Sequence, residues 1–142
     1  MIGIDTDFLV ALEMAVHEQH AAVHRLLARS AKRGESFALC PQVLAEFVHV
    51  VTDRRRFEKP MEMPVALRQA EIWSTAVDVR LFLPQENALK LFFHWMNQHS
   101  LGRKRILDTL LAATYATESV TKIATLNGDD FRLFGVFEFI SP

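Results

Sequence analysis

The stretch "IGIDTDFLV", residues Ile2–Val10, sets two carboxylates inside an otherwise apolar run. A buried strand takes Ile or Val at such places, so Asp5 and Asp7 each need a reason to be there. "MIGID" (Met1–Asp5) reads as a short buried strand, and the pattern turns helical from Asp7 onward. Asp7 then reads as an ordinary helix N-cap. Asp5 closes the strand and has no evident capping duty.

The rest of the chain repeats this step from strand to helix. Leu9, Leu12, Val16, Val23, Leu26 and Leu27 recur at helical spacing and predict one helix from Asp7 to about Lys32, stopped by Gly34. "SFALC" (Ser36–Cys40) reads as the second strand, and Pro41 opens a helix over Pro41–Asp53. A helix over Met63–Ala76, a strand over Val79–Leu83 and a helix over Gln85–Ser100 follow. Leu107–Ser119 is a strongly apolar helix, and Lys122–Leu126 and Val136–Ile140 complete the strands. Alternation of this kind predicts an α/β fold with a five-stranded, mostly parallel sheet, because parallel strands need crossovers that cover both faces. In such sheets chemistry collects beyond the carboxyl ends of the strands, where strand order reverses. Asp5 sits at that edge.

The bulk composition narrows the function. The chain has 142 residues, half of them hydrophobic, which suits one domain over residues 1–142 with a real core. A formal net charge of −1 excludes a protein that holds nucleic acid through an overall basic field. A lone cysteine, Cys40, excludes an internal disulfide and fits a reducing compartment. There is neither a signal-peptide pattern nor an apolar run of membrane-spanning length, so a soluble, cytoplasmic protein is expected.

Other acids fall near the same edge as Asp5. Glu46 lies one turn into the helix after the second strand, and Asp108 lies in the first turn of the helix before the fourth. Asn127, Asp129 and Asp130 follow the fourth strand in "TLNGDDF" (Thr125–Phe131). Taken singly, each has a plain structural reading: a solvated helix face for Glu46, a favourable helix N-terminus for Asp108, a turn for Asp129 and Asp130. Together they conflict with stability. Two carboxylates about 4 Å apart repel by roughly 4 kcal/mol at an effective dielectric near 20, against a total stability of about 5–15 kcal/mol. A hard divalent cation such as Mg²⁺ or Mn²⁺ relieves such a cluster, since oxygen donors suit it.

At these residues the sequence resembles the PIN-domain ribonucleases, and most closely the VapC-type toxins of toxin–antitoxin pairs. The matching pieces are "IDTDFLV" around Asp5, "LAEFVHVV" around Glu46, "LDTLLAATYA" around Asp108 and "IATLNGDDF" around Asn127, with "TDRRRFEKP" (Thr52–Pro60) as a further likeness. The resemblance implies a PIN-like three-layer α/β/α fold and Mg²⁺- or Mn²⁺-dependent hydrolysis of RNA. Asp5, Glu46 and Asp108 would be its catalytic acids, with Asp5, Asp108, Asn127 and Asp130 as metal ligands. It gives Thr6 and Thr125 supporting hydrogen bonds, and implies a homodimer and a cognate antitoxin protein covering the acidic groove. Asn127 departs from the family's acid at the fourth position, which weakens a second metal position. It also leaves open the alternative of a PIN-like module that binds RNA or protein without cutting.

The remaining features carry less. Arg103, Lys104 and Arg105 precede Asp108 and are candidate contacts to RNA phosphates. Arg54, Arg55 and Arg56 form a second basic cluster. His17, His20 and His24 share a helical spacing but lack a carboxylate or cysteine to complete a metal site, and read as surface or interface groups. Asp5-Thr6-Asp7 also matches the D-x-D motif of haloacid-dehalogenase-type phosphatases. That chemistry needs a lysine between the strand-end Thr125 and the late acids, and none is present there.

Overall fold

The structure is a computed structural model and describes residues 1–142. Strands β1 (Ile2–Ile4), β2 (Phe37–Leu39), β3 (Val79–Leu81), β4 (Lys122–Ala124) and β5 (Glu138–Ile140) form one sheet in the order β3-β2-β1-β4-β5. Every pairing in it is parallel. The connections run through α1 (Thr6–Glu13), α2 (His20–Lys32), α3 (Pro41–Val51), α4 (Met63–Thr75), α5 (Glu86–Gln98), α6 (Ile106–Thr117) and the short α7 (Asp129–Arg132). A single 3₁₀ turn, Arg103–Arg105, leads into α6. No helix is long and apolar enough to cross a membrane.

From β1 the chain first builds outward through β2 to β3, then returns past β1 to lay down β4 and β5. Right-handed crossovers therefore place α1–α4 on one face of the sheet and α5–α7 on the other. The strand alternation agrees. Ile2, Phe37, Ala124 and Ile140 meet Phe8, Leu26 and Leu27 on the α1–α2 side. Gly3 points the opposite way, into the ring of Tyr115 on α6, where an added Cβ would lie 2.6 Å from Cε2. Glycine is needed there for close approach. The Tyr115 hydroxyl crosses beneath the sheet to the carbonyls of Ile4 (2.8 Å) and Ala38 (3.1 Å), joining α6 to β1 and β2.

Three expectations from the sequence are corrected. The helix predicted over Asp7–Lys32 is two helices, broken over Met14–Gln19. The break contains no proline or glycine, and its cause is tertiary. Phe8 to Leu12 are all buried, whereas Val16 is 73 % exposed, so continuing α1 would carry it off the core. The imidazoles of His20 and His24 then bond the Ala11 and Leu12 carbonyls, both at 2.9 Å, and close the exposed end of α1. The strands, next, are three residues long rather than five, although Asp5 and Thr125 each still donate a main-chain N–H to the neighbouring strand, to the Ala124 carbonyl at 3.0 Å and the Ile140 carbonyl at 3.3 Å. Finally, Asp5 rather than Asp7 is the N-cap of α1, accepting the Thr6 N–H at 2.7 Å.

Candidate functional site

β1 and β4 are neighbours, yet the chain leaves them towards opposite sides of the sheet. Their carboxyl ends open a crevice at this reversal. Asp5, Asp7, Glu46, Asp108, Asn127 and Asp130 all line one cleft there, of about 700 Å³. Residues separated by more than a hundred positions thus share one wall.

Two threonines fix the acids. Thr125 is fully buried and donates to Asp5 Oδ2 at 2.9 Å while accepting the Asn127 N–H at 3.0 Å. The Thr6 hydroxyl donates to Glu46 Oε2 at 2.8 Å, linking the start of α1 to the middle of α3. Gln42 Nε2 reaches the Leu107 carbonyl at 2.9 Å and draws α3 to the start of α6, where Asp108 lies.

The acids are held under electrostatic tension. Burial, then the charge of Asp7, pushes the Asp5 carboxyl well above its ordinary value, against the hydrogen bonds from Thr125 and Thr6. Asp7 is raised by burial too, although the Leu126 N–H, 3.0 Å away, favours its charged form. For Asp108 the causes are burial and the nearby Asp130, opposed by Arg105, with Glu46 and Asp7 adding smaller pushes. Asp5 and Asp108 also repel each other directly. The chain has therefore gathered like charges that it neutralises only in part.

A model of the PIN domain matches residues 2–135. The chain belongs to the PIN-domain family. Ribonuclease VapC24 of Mycobacterium tuberculosis is 29 % identical over 144 residues, covering 100 % of this chain and 97 % of that protein. Among solved structures, Mycobacterium tuberculosis VapC20, a sarcin–ricin-loop-cleaving toxin, superposes with a TM-score of 0.77 at 20 % identity over 100 % of both chains. VapBC-1 from nontypeable Haemophilus influenzae gives 0.70 at 15 % identity over 99 % of this chain and 98 % of that one. The fold is thus the PIN-like three-layer α/β/α arrangement, of the VapC type.

The donor set of this PIN domain fits a hard divalent cation. Its inward groups are carboxylate oxygens whose proton affinity is raised first by burial and then by neighbouring carboxylates, and a cation relieves the second of these. No three Asp, Glu, His or Cys side chains close into a complete cage. Asn127 and Asp130 are engaged with each other, the Asn127 amide donating to one Asp130 oxygen while Arg105 takes the other.

The basic residues separate. Arg103 and Lys104 are exposed on the 3₁₀ turn, whereas Arg105 turns in and pairs with Asp130 at the edge of the cleft. Sequence reasoning also missed part of the wall: Asp7, His17, His49, Arg56 and Phe57 line the same cleft. His49 stands three residues from Glu46 on α3, a helical spacing that carried the signal. His17 lies in the break between α1 and α2, a position that a continuous helix conceals. Its Nδ1 accepts the Gln19 N–H at 3.1 Å. Asp7, the first-turn acid of the D-x-D match, is tied to the Leu126 N–H. Cys40 is buried beneath the sheet edge, and burial pushes its thiol up to about 12, so it stays protonated and inert.

Proposed function

We propose that this protein is a Mg²⁺- or Mn²⁺-dependent endoribonuclease, the toxin of a toxin–antitoxin pair. The observation that carries the reading is the meeting of Asp5, Glu46 and Asp108, from three separate elements, in one cleft at the switch point of the sheet. VapC24, a ribonuclease by name, matches along the whole chain and supports the substrate class.

In this reading Asp5 and Asp108 hold the cation, with Glu46 beside them. The ion, when bound, activates a water and stabilises the leaving 3′-oxygen of the phosphodiester. The protein's own groups do the rest. Thr125 keeps Asp5 aimed into the cleft, and the Asp5 bond to the Thr6 N–H places that carboxylate at the positive end of α1. With Thr6 on Oε2, Glu46 keeps Oε1 free to accept a proton from the attacking water. Water adds to phosphorus, the bond to the 3′-oxygen breaks, and that oxygen takes up a proton. The products carry a 5′-phosphate and a 3′-hydroxyl. Arg103 and Lys104 are placed to contact flanking phosphates. The partners proposed with this activity are an RNA substrate, a second copy in a homodimer, and an antitoxin protein, as in the VapBC-1 assembly.

The test is cleavage of a defined RNA by purified protein with Mn²⁺, against Asp5→Asn. Loss of cleavage in the variant, with 5′-phosphate ends in the wild-type products, supports the nuclease. Equal RNA decay in both would leave a module that binds without cutting.

A further inference from the structure

We infer that Arg105 is the resident cation of the Asn127–Asp130 corner, so that the cleft takes one divalent ion rather than two. This rests on the reading of the cleft as a cation site. Arg105 extends from the 3₁₀ turn and sets Nη1 on Asp130 Oδ1 and Nη2 on the Asp130 main-chain carbonyl. The Asn127 amide donates to the remaining Asp130 oxygen, Oδ2. Each carboxylate oxygen of Asp130 therefore has a donor of its own, one of them in a charge-assisted bond, and the main-chain oxygen has the second Nη group.

The pair is sheltered from solvent. The Arg105 side chain is 21 % exposed and that of Asp130 33 %, unlike the neighbouring Arg132–Asp129 pair at 71 % and 85 %. Arg105 Nε is buried without a partner of its own, so the guanidinium is held there by what its two Nη groups grip. A forked grip on a side chain and its own carbonyl is a geometry that arginine makes and lysine does not. The same corner is where an amide, Asn127, stands in place of a carboxylate. An amide in that position and a guanidinium on its neighbour both disfavour a second metal ion: one removes negative charge, the other supplies positive charge. Asp130 is thus the anchor of Arg105 and not a metal ligand, and Asp5 and Asp108 suffice for one hydrated ion.

Mn²⁺ titration without RNA, followed by calorimetry and by the electron paramagnetic resonance of free Mn²⁺, tests this on the full chain. Wild type should bind one ion per chain, and Asp5→Asn should lose it. Asp130→Asn should keep the same count with affinity within about twofold. Arg105→Gln should gain a second, weaker ion, while Arg105→Lys, which keeps the charge, should stay at one; thermal melts check that each variant is folded. Two ions in the wild type, or a tenfold loss of affinity in Asp130→Asn, would overturn the inference and leave the cation reading standing. No binding by wild type would overturn both.

Discussion

The Thr6 hydroxyl donates to the Glu46 carboxylate across 2.8 Å, joining residues forty positions apart. Thr6 is the first residue of α1 and Glu46 lies at mid-α3, so this bond sets how far the Glu46 carboxylate stands from Asp5. Replacing Thr6 by Val keeps the shape and removes the donor. Thr6→Val should cost about 0.5–1.5 kcal/mol of stability. It should lower kcat more than ten-fold while Mn²⁺ affinity changes little, since the ion rests on Asp5 and Asp108. Calorimetric Mn²⁺ titration beside single-turnover cleavage checks this; a parallel fall in both would make Glu46 a ligand.

Asp5 and Asp7 stand two residues apart and should respond in opposite ways. Asp5→Asn relieves repulsion and keeps an oxygen for the Thr6 N–H, so the metal-free protein should be as stable as wild type or more so. Asp7→Ala leaves the Leu126 N–H without its acceptor and should cost about 1–3 kcal/mol. Urea denaturation of both variants in chelator separates the two roles. A large loss of stability in Asp5→Asn would make it a structural residue.

The pH dependence of the metal-free protein follows from the raised carboxyls. The folded state holds protons on Asp5, Asp7 and Asp108 more tightly than the unfolded chain does. Stability should therefore fall as pH rises from the unfolded carboxylate value of about 4 through the higher folded values, and level off above them. Glu35, lowered by its bonds to Lys122 and the terminal amine, acts oppositely. Its contribution is present above the unfolded value and is lost only as pH falls through the depressed folded one. Over the rise from the unfolded carboxylate value of about 4 to the higher folded values, the raised groups dominate. Melting temperature in chelator should fall across that window, and saturating Mg²⁺ should flatten the slope. A melting temperature that rises with pH in chelator would contradict the raised carboxyls.

Arg103 and Lys104 give a prediction about RNA that does not depend on cleavage. Changing both to Ala should weaken binding of single-stranded RNA to an Asp5→Asn background. The log–log salt slope should flatten by about 0.7 for each phosphate the protein no longer neutralises. An unchanged slope would place the RNA along another wall, such as that of Arg56 and His49.

Gly3 tests the closeness of α6 to the sheet. Gly3→Ala sets a methyl group 2.6 Å from a Tyr115 ring carbon that is fixed by two hydrogen bonds. The cost should be about 1–3 kcal/mol, read by urea denaturation, and Tyr115→Phe should recover only a part of it. Full tolerance of the methyl group would show that α6 can shift.

Much of this protein is legible along the chain. The short apolar runs, the period-3.6 patterns, the Pro41 start and the Gly34 stop fix five strands and most helices from local chemistry alone. They also place Asp5 at a strand end and Glu46 and Asp108 near the starts of helices, at the edge where a parallel sheet opens its crevice. What only the tertiary structure decided depends on contacts between distant residues. The break at Met14–Gln19 follows from the burial of Phe8 to Leu12 on every side of α1 and from His20 and His24 reaching back to it. The exchange of roles between Asp5 and Asp7 follows from β4 lying beside β1, which brings Thr125 and Leu126 within hydrogen-bond reach. Arg105 reads in sequence as one of three equal cations, and becomes the partner of Asp130 only once α6 and α7 meet. A local pattern records what a residue prefers; which charge it neutralises is settled by the neighbour that folding brings.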